Sequence, residues 1–179
     1  MFKNRKTILA ALLFIASLKA FCGVVDHDRM YQAYLTNDMS VWKTELQKYT
    51  ASTDLTITDK LEISNYLYGY IATLLTDADK NKQEIIGWIE LWEKYLEEIE
   101  KATGKNAYVH VYRSSINAYK SKVKAGGMMV WGPRSLTELK RALNIDPNNP
   151  LANGLKGNML FYMPGFVGGD KEESIKWFE

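Results

Sequence analysis

Apolar side chains recur along this chain at steps of three and four, the spacing that lines one face of an α-helix. Ile63, Leu67, Tyr70, Ile71 and Leu74 form one such stripe, and Ile85, Ile89, Trp92, Leu96 and Ile99 form another. No stretch after the N-terminal segment alternates apolar and polar positions over six residues, as a half-buried strand does. The pattern predicts an all-α protein. Its first helix runs from Asp28 to about Asn37, with Met30, Tyr31, Tyr34 and Leu35 on one side. Asp38 caps a second helix bearing Val41, Trp42, Leu46 and Tyr49, and the Thr/Ser-rich segment 51–57 is a loop. Asp59-x-x-Glu62 has the form of a capping box for the third helix. A charged turn over Asp77–Lys82 leads to a fourth helix that ends near Thr103, where Gly104 can close it. The fifth runs from about Asn106 to Lys124, with Tyr108, Tyr112, Ile116, Tyr119 and Val123.

Proline and glycine divide the chain. Residues 24–125 hold no proline; Pro133, Pro147, Pro150 and Pro164 all lie further on. Gly126-Gly127 ends the fifth helix, and Met128-Met129-Val130-Trp131-Gly132-Pro133 reads as an apolar loop. Ser135-x-x-Glu138 then looks like a second capping box, opening a helix that stops before Asp146-Pro147. Pro150 begins the next helix, Pro164-Gly165 breaks it, and Asp170-x-x-Glu173 is a third box. The last two helix–loop–helix units thus repeat a theme, the sign of stacked helical hairpins.

The residues of that theme resemble the tetratricopeptide repeat. Ser135-x3-Leu139-x2-Ala142-x4-Pro147 has the spacing of the second half of such a repeat, small-x3-aromatic-x2-Ala-x4-Pro, with a leucine at the large site. The next repeat begins at Pro150, with Gly157 on the usual glycine of its first helix and Leu160 on an aromatic site. Ser174-x3-Phe178 restarts the pattern after an insert around Met163–Val167. Asn153 stands where an aromatic is usual and Lys156 where a leucine is usual. The Pro-Gly-x-x-Gly-Gly-Asp-Lys turn looks like a divergent group of such proteins exported by bacteria, some of which accompany solute-uptake systems. The resemblance covers about residues 134–179. It implies stacked antiparallel helical hairpins, a TPR-like α-solenoid. The division is then 1–22 signal peptide, 23–125 N-terminal helical hairpins and 126–179 TPR-like repeats. Trp177-Phe178-Glu179 falls within a helix, so the intact chain is expected to extend further.

Charge changes its meaning along the chain. Lys3, Arg5 and Lys6 precede a 12-residue apolar run, Thr7–Leu18, too short to span the roughly 30 Å hydrocarbon core. This is the layout of a signal peptide, with small residues at Ala20, Cys22 and Gly23 near a cleavage site. A retained anchor, or lipid modification at Cys22, is the alternative. Loss of residues 1–22 turns 23 basic and 21 acidic side chains into 19 against 21, and +2 into −2. No basic excess remains to drive nucleic-acid binding.

Candidate chemistry is sparse. One cysteine excludes an intrachain disulfide framework. Asp26-His27-Asp28 and His110 read as cap and helix residues rather than metal ligands, and Gly168-Gly169-Asp170-Lys171 as a turn and N-cap rather than an anion cradle. No carboxylate pair or nucleophile recommends itself, so neither an enzyme nor a cofactor is expected. The apolar stretch is the exception. Met128, Met129 and Trp131 either fold back over the core or meet a partner or lipid surface, and Phe166 and Val167 are the matching pair in the second insert. The expectation is a module of the periplasm or cell envelope that binds a protein or peptide and has no integral span after signal removal. The alternative is an accessory solute-binding protein of an uptake system, with an aromatic pocket.

Overall fold

The computed structural model describes residues 25–165 and 168–178. The segment 1–22 expected to be a signal peptide, with Cys22, and the pair Phe166 and Val167 lie outside the described residues. Every regular element among the described residues is helical, as the apolar periods require. They are α1 (His27–Leu35), α2 (Met39–Thr50), α3 (Ile57–Leu74), α4 (Ala78–Thr103), α5 (Ala107–Val123), α6 (Gly127–Ile145), α7 (Pro150–Tyr162) and α8 (Lys171–Lys176). A 3-10 turn, Leu75–Asp77, leads straight into α4, so most of the expected Asp77–Lys82 turn is helix. The chain forms two compact units, one reaching Ile63 and one beginning at Ser64, with the boundary inside α3.

In the first unit α1 packs on α2. Asp26 caps α1 by accepting from the Arg29 N–H, and Asp38 caps α2 by accepting from Ser40 and Val41. Met30 and Ala33 are the buried side of α1, while Tyr31, Tyr34 and Leu35 stay exposed. The expected apolar side of this helix is therefore rotated. The small Ala33 faces inward, and Tyr34 meets Trp42 edge-on at 6.2 Å. Glu45 is buried and bound by Arg29 at 2.8 Å. The Tyr49 hydroxyl accepts from the Asp26 N–H at 2.8 Å, and burial pushes its pKa up to about 12. The box that opens α3 is Thr56-x-x-Asp59, not Asp59-x-x-Glu62: Asp59 accepts from the Thr56 N–H, and Thr56 Oγ1 accepts from the Asp59 N–H. Glu62 instead binds His27 at 2.9 Å.

In the second unit α5 is the centre. It packs against α4 and α6, and α7 rests on both α5 and α6. Val109, His110, Val111, Tyr112, Ser114, Ser115 and Ile116 are all buried, so nearly every side of this helix is covered. That explains why the single-stripe expectation failed at Tyr108, which is exposed. On the α4 side, Trp92 packs with Tyr112 and Tyr119 at 5.4 and 6.4 Å, and Tyr119 stacks on Tyr68. Arg113 grips Glu100 with two hydrogen bonds, 3.0 and 2.7 Å.

On the α6 side, Ser114 and Ser135 face each other. Ser114 Oγ donates to the Ser135 carbonyl at 2.9 Å, and Ser135 Oγ donates to the Ser114 carbonyl at 2.8 Å. Ser135 is thus a tertiary contact in the middle of α6 and not an N-cap. Glu138, its supposed box partner, binds His110 Nδ1 at 2.7 Å and Arg141 at 2.5 Å.

The second hairpin repeats the register of the first. Asn106 caps α5 and Asn149 caps α7; eight residues on stand Ser114 and Gly157, both buried. Gly157 leaves room for the Phe178 ring: a Cβ there would lie 2.7 Å from it. Ser174 of α8 is buried as Ser135 is. Val111, Leu139, Ala142 and Ala152 form the core where α7 joins the first pair.

Two outcomes test this packing. Ser135→Leu forces bulk into a backbone-to-backbone contact and should cost about 1–3 kcal/mol in urea denaturation; an unchanged midpoint would contradict the close approach. Hydrogen bonding from Arg113 holds the Glu100 carboxyl below its ordinary 4.5. Its stabilisation is complete above that value and is lost as pH falls through the lowered one. The melting temperature of the native chain should exceed that of Glu100→Gln near neutral pH, and the gap should close as acidification carries the pH down through the lowered Glu100 value.

Candidate functional site

The apolar stretch is helix, not loop. α6 begins at Gly127, with Met128, Met129, Val130 and Trp131 in its first turns and Pro133 inside it. Gly126 and Gly127 were read as the end of a helix; they start one, at φ +85° and +49°. A Cβ on Gly126 would run into the Val130 side chain, which closes over it. Pro133 has no N–H to offer the carbonyl one turn back, yet α6 continues past it to Ile145.

This start leaves apolar atoms in water. Met128 is 62% exposed, Met129 91% and Val130 41%. Trp131 is half-buried and fixed from three sides. Its indole N–H donates to the Ala125 carbonyl at 3.0 Å, and Lys120 and Arg134 sit 5.0 and 4.8 Å from the ring centre. Lys120 also binds Glu93 at 2.5 Å, and Lys124 lies 3.8 Å from Glu90. The structure brings Met128, Met129 and Trp131 together; Phe166 and Val167 lie outside the described residues.

A second surface lies on the last hairpin. An open cleft of 540 Å³ is lined by Asn153 of α7 and by Glu173, Lys176 and Trp177 of α8 and its end. Asn153 Oδ1 is buried with no hydrogen-bond partner among the described residues. Glu173 Oε1 accepts from the Trp177 indole at 3.4 Å, and Lys156 sits 6.0 Å from the ring. The two departures from the repeat pattern, Asn153 and Lys156, thus both reach this tryptophan's surroundings. On the same hairpin Phe161 and Tyr162 meet edge-on at 5.0 Å, with Tyr162 79% exposed.

Sequence reasoning missed this cleft and the polar cluster of the first hairpin. His110 stands four residues after its helix cap, as Asn153 does; Glu138 stands three after Ser135, as Trp177 does after Ser174. In the first hairpin the two positions close on each other through a 2.7 Å hydrogen bond, and in the second they border an opening. Asn153 in an aromatic's place was the available signal. Asp26 and Asp170 cap their helices, and no group of three metal-binding side chains occurs among the described residues. Among those residues no helix is long and apolar enough to cross a membrane. Comparison with family models, curated proteins and solved structures finds no match to this chain.

Gly126→Ala should destabilise the second unit by about 1–2 kcal/mol in chemical denaturation, since an alanine must hold a left-handed φ and displace Val130. Gly154→Ala, with open space around its Cβ, is the control and should be neutral or slightly stabilising.

Proposed function

We propose that this chain is an exported, TPR-like helical-repeat module that holds a protein or peptide partner in the cell envelope. The Asn153–Trp177 cleft carries the reading. A buried amide oxygen without a partner costs stability unless a donor reaches it. A peptide backbone N–H is such a donor, and the Trp177 face beside it suits an apolar or cationic side chain. Lys176 and Glu173 add one charge of each sign at the rim. The basic start of the chain and its apolar run support export. Phe166 and Val167, four and five residues after Tyr162, remain contact candidates on this hairpin; Met128, Met129 and Trp131 belong to a separate surface.

The uptake-accessory reading needs an aromatic pocket for a small solute. Trp92, Tyr112 and Tyr119 pack on one another in the core, which favours the partner reading over it. Trp177 in its open cleft offers such a solute one aromatic face. Pull-down from envelope extracts separates the readings. The native chain should recover a defined polypeptide, and Asn153→Ala with Trp177→Ala should reduce recovery about tenfold. An unchanged partner set, together with a melting temperature raised by several degrees by one class of small solute, would reverse the choice.

A further inference from the structure

We infer that the Met128–Val130 end of α6 is a membrane-contacting tip that rests on an anionic lipid surface. This goes beyond the peptide reading and does not depend on it. Successive residues on a helix point about 100° apart, so three consecutive exposed apolar side chains spread around the helix end instead of forming a stripe. A partner helix or groove is read through anchors at three- and four-residue steps along one face. A fluid lipid interface accepts a projecting knob of any outline. Methionine, unbranched and flexible, suits such a surface. Val130 cannot turn inward, because it already closes over Gly126.

Trp131 follows the three exposed residues and is half-buried beside them. Its indole N–H is satisfied by the Ala125 carbonyl, so the ring can approach lipid without an unpaired donor. Tryptophan beside lysine and arginine is the usual arrangement at headgroup depth. Here Lys120 and Arg134 flank the ring.

The charge around the tip selects the lipid. Around the tip stand Lys120, Lys122, Lys124 and Arg134, against Glu90 and Glu93 of α4. Lys120 and Lys124 face the glutamates of α4, but Lys122 and Arg134 are exposed and have no ion pair among the described residues. Cations beside an exposed apolar knob favour anionic over zwitterionic headgroups. An acidic polypeptide has the same charge but needs a complementary shape, which the spread of Met128, Met129 and Val130 does not offer.

The test is co-sedimentation of the chain, without residues 1–22, with vesicles. One set is phosphatidylcholine and the other contains about a third phosphatidylglycerol. Binding to the anionic vesicles is expected, weakened by salt and absent from the neutral ones. Met128→Asp with Met129→Asp should lower it about tenfold, and Lys122→Glu with Arg134→Glu should abolish its preference for anionic lipid. Circular dichroism should show both variants folded. Gly154→Ala should bind as the native chain does. No sedimentation with anionic vesicles overturns the inference, as does equal sedimentation of the folded Met128→Asp/Met129→Asp variant. A photo-crosslinker at position 129 that captures a polypeptide and no lipid also overturns it, and assigns the tip to a protein. Asn153→Ala/Trp177→Ala should leave vesicle binding intact, so failure at one surface is distinguishable from failure at the other.

Discussion

The serine-to-serine contact between α5 and α6 is the constraint on which the second unit depends. Two small side chains let the backbones meet, and each hydroxyl satisfies the other helix's carbonyl. Because the contact lies at the middle of α6, the helix must already be running by Ser135, and its start is pushed back through Pro133 to Gly127. Among the described residues that start has no neighbour to cover it, so Met128, Met129 and Val130 are exposed. Further along, the same approach places Leu139 and Ala142 where Ala152 of α7 can close on them. The exposed end and the closed core are consequences of one packing choice.

The second hairpin keeps that register and changes its chemistry. Asn149 caps as Asn106 does, and buried Gly157 and Ser174 stand where Ser114 and Ser135 stand, with the Phe178 ring against Gly157. Where His110 and Glu138 hydrogen-bond to each other in the first hairpin, Asn153 and Trp177 border a cleft. Repeating a scaffold while varying the side chains at one position of it is how stacked hairpins acquire binding surfaces without altering their core.

Much of this was legible in the sequence, and the failures have physical causes. The stripes of α3 and α4 were readable because each helix buries one face; Ile85, Ile89, Trp92, Leu96 and Ile99 are all fully buried. Asp38 and Asp170 were readable as caps because the aspartates precede apolar periods. Ser135-x-x-Glu138 was not, since a serine and a glutamate three apart look the same whether they cap a helix or reach across to another. Only Ser114 and His110, some 20 to 30 residues earlier, distinguish the cases. Gly126, Gly127, Gly132 and Pro133 signalled a loop, but a lysine, an arginine and a backbone carbonyl hold Trp131 in a helix that local propensity disfavours. The cleft was legible only as a departure from the expected pattern, in Asn153 at an aromatic's place, and not as an instance of it.

The central claim, that the last hairpin is a binding surface, is tested most directly by hydrogen exchange on the chain with and without its captured envelope partner. Slowed exchange concentrated in α7 and α8, residues 150–176, is the predicted result. Slowed exchange confined to α1, whose Tyr31, Tyr34 and Leu35 are equally exposed, with α7 and α8 unchanged, would contradict it.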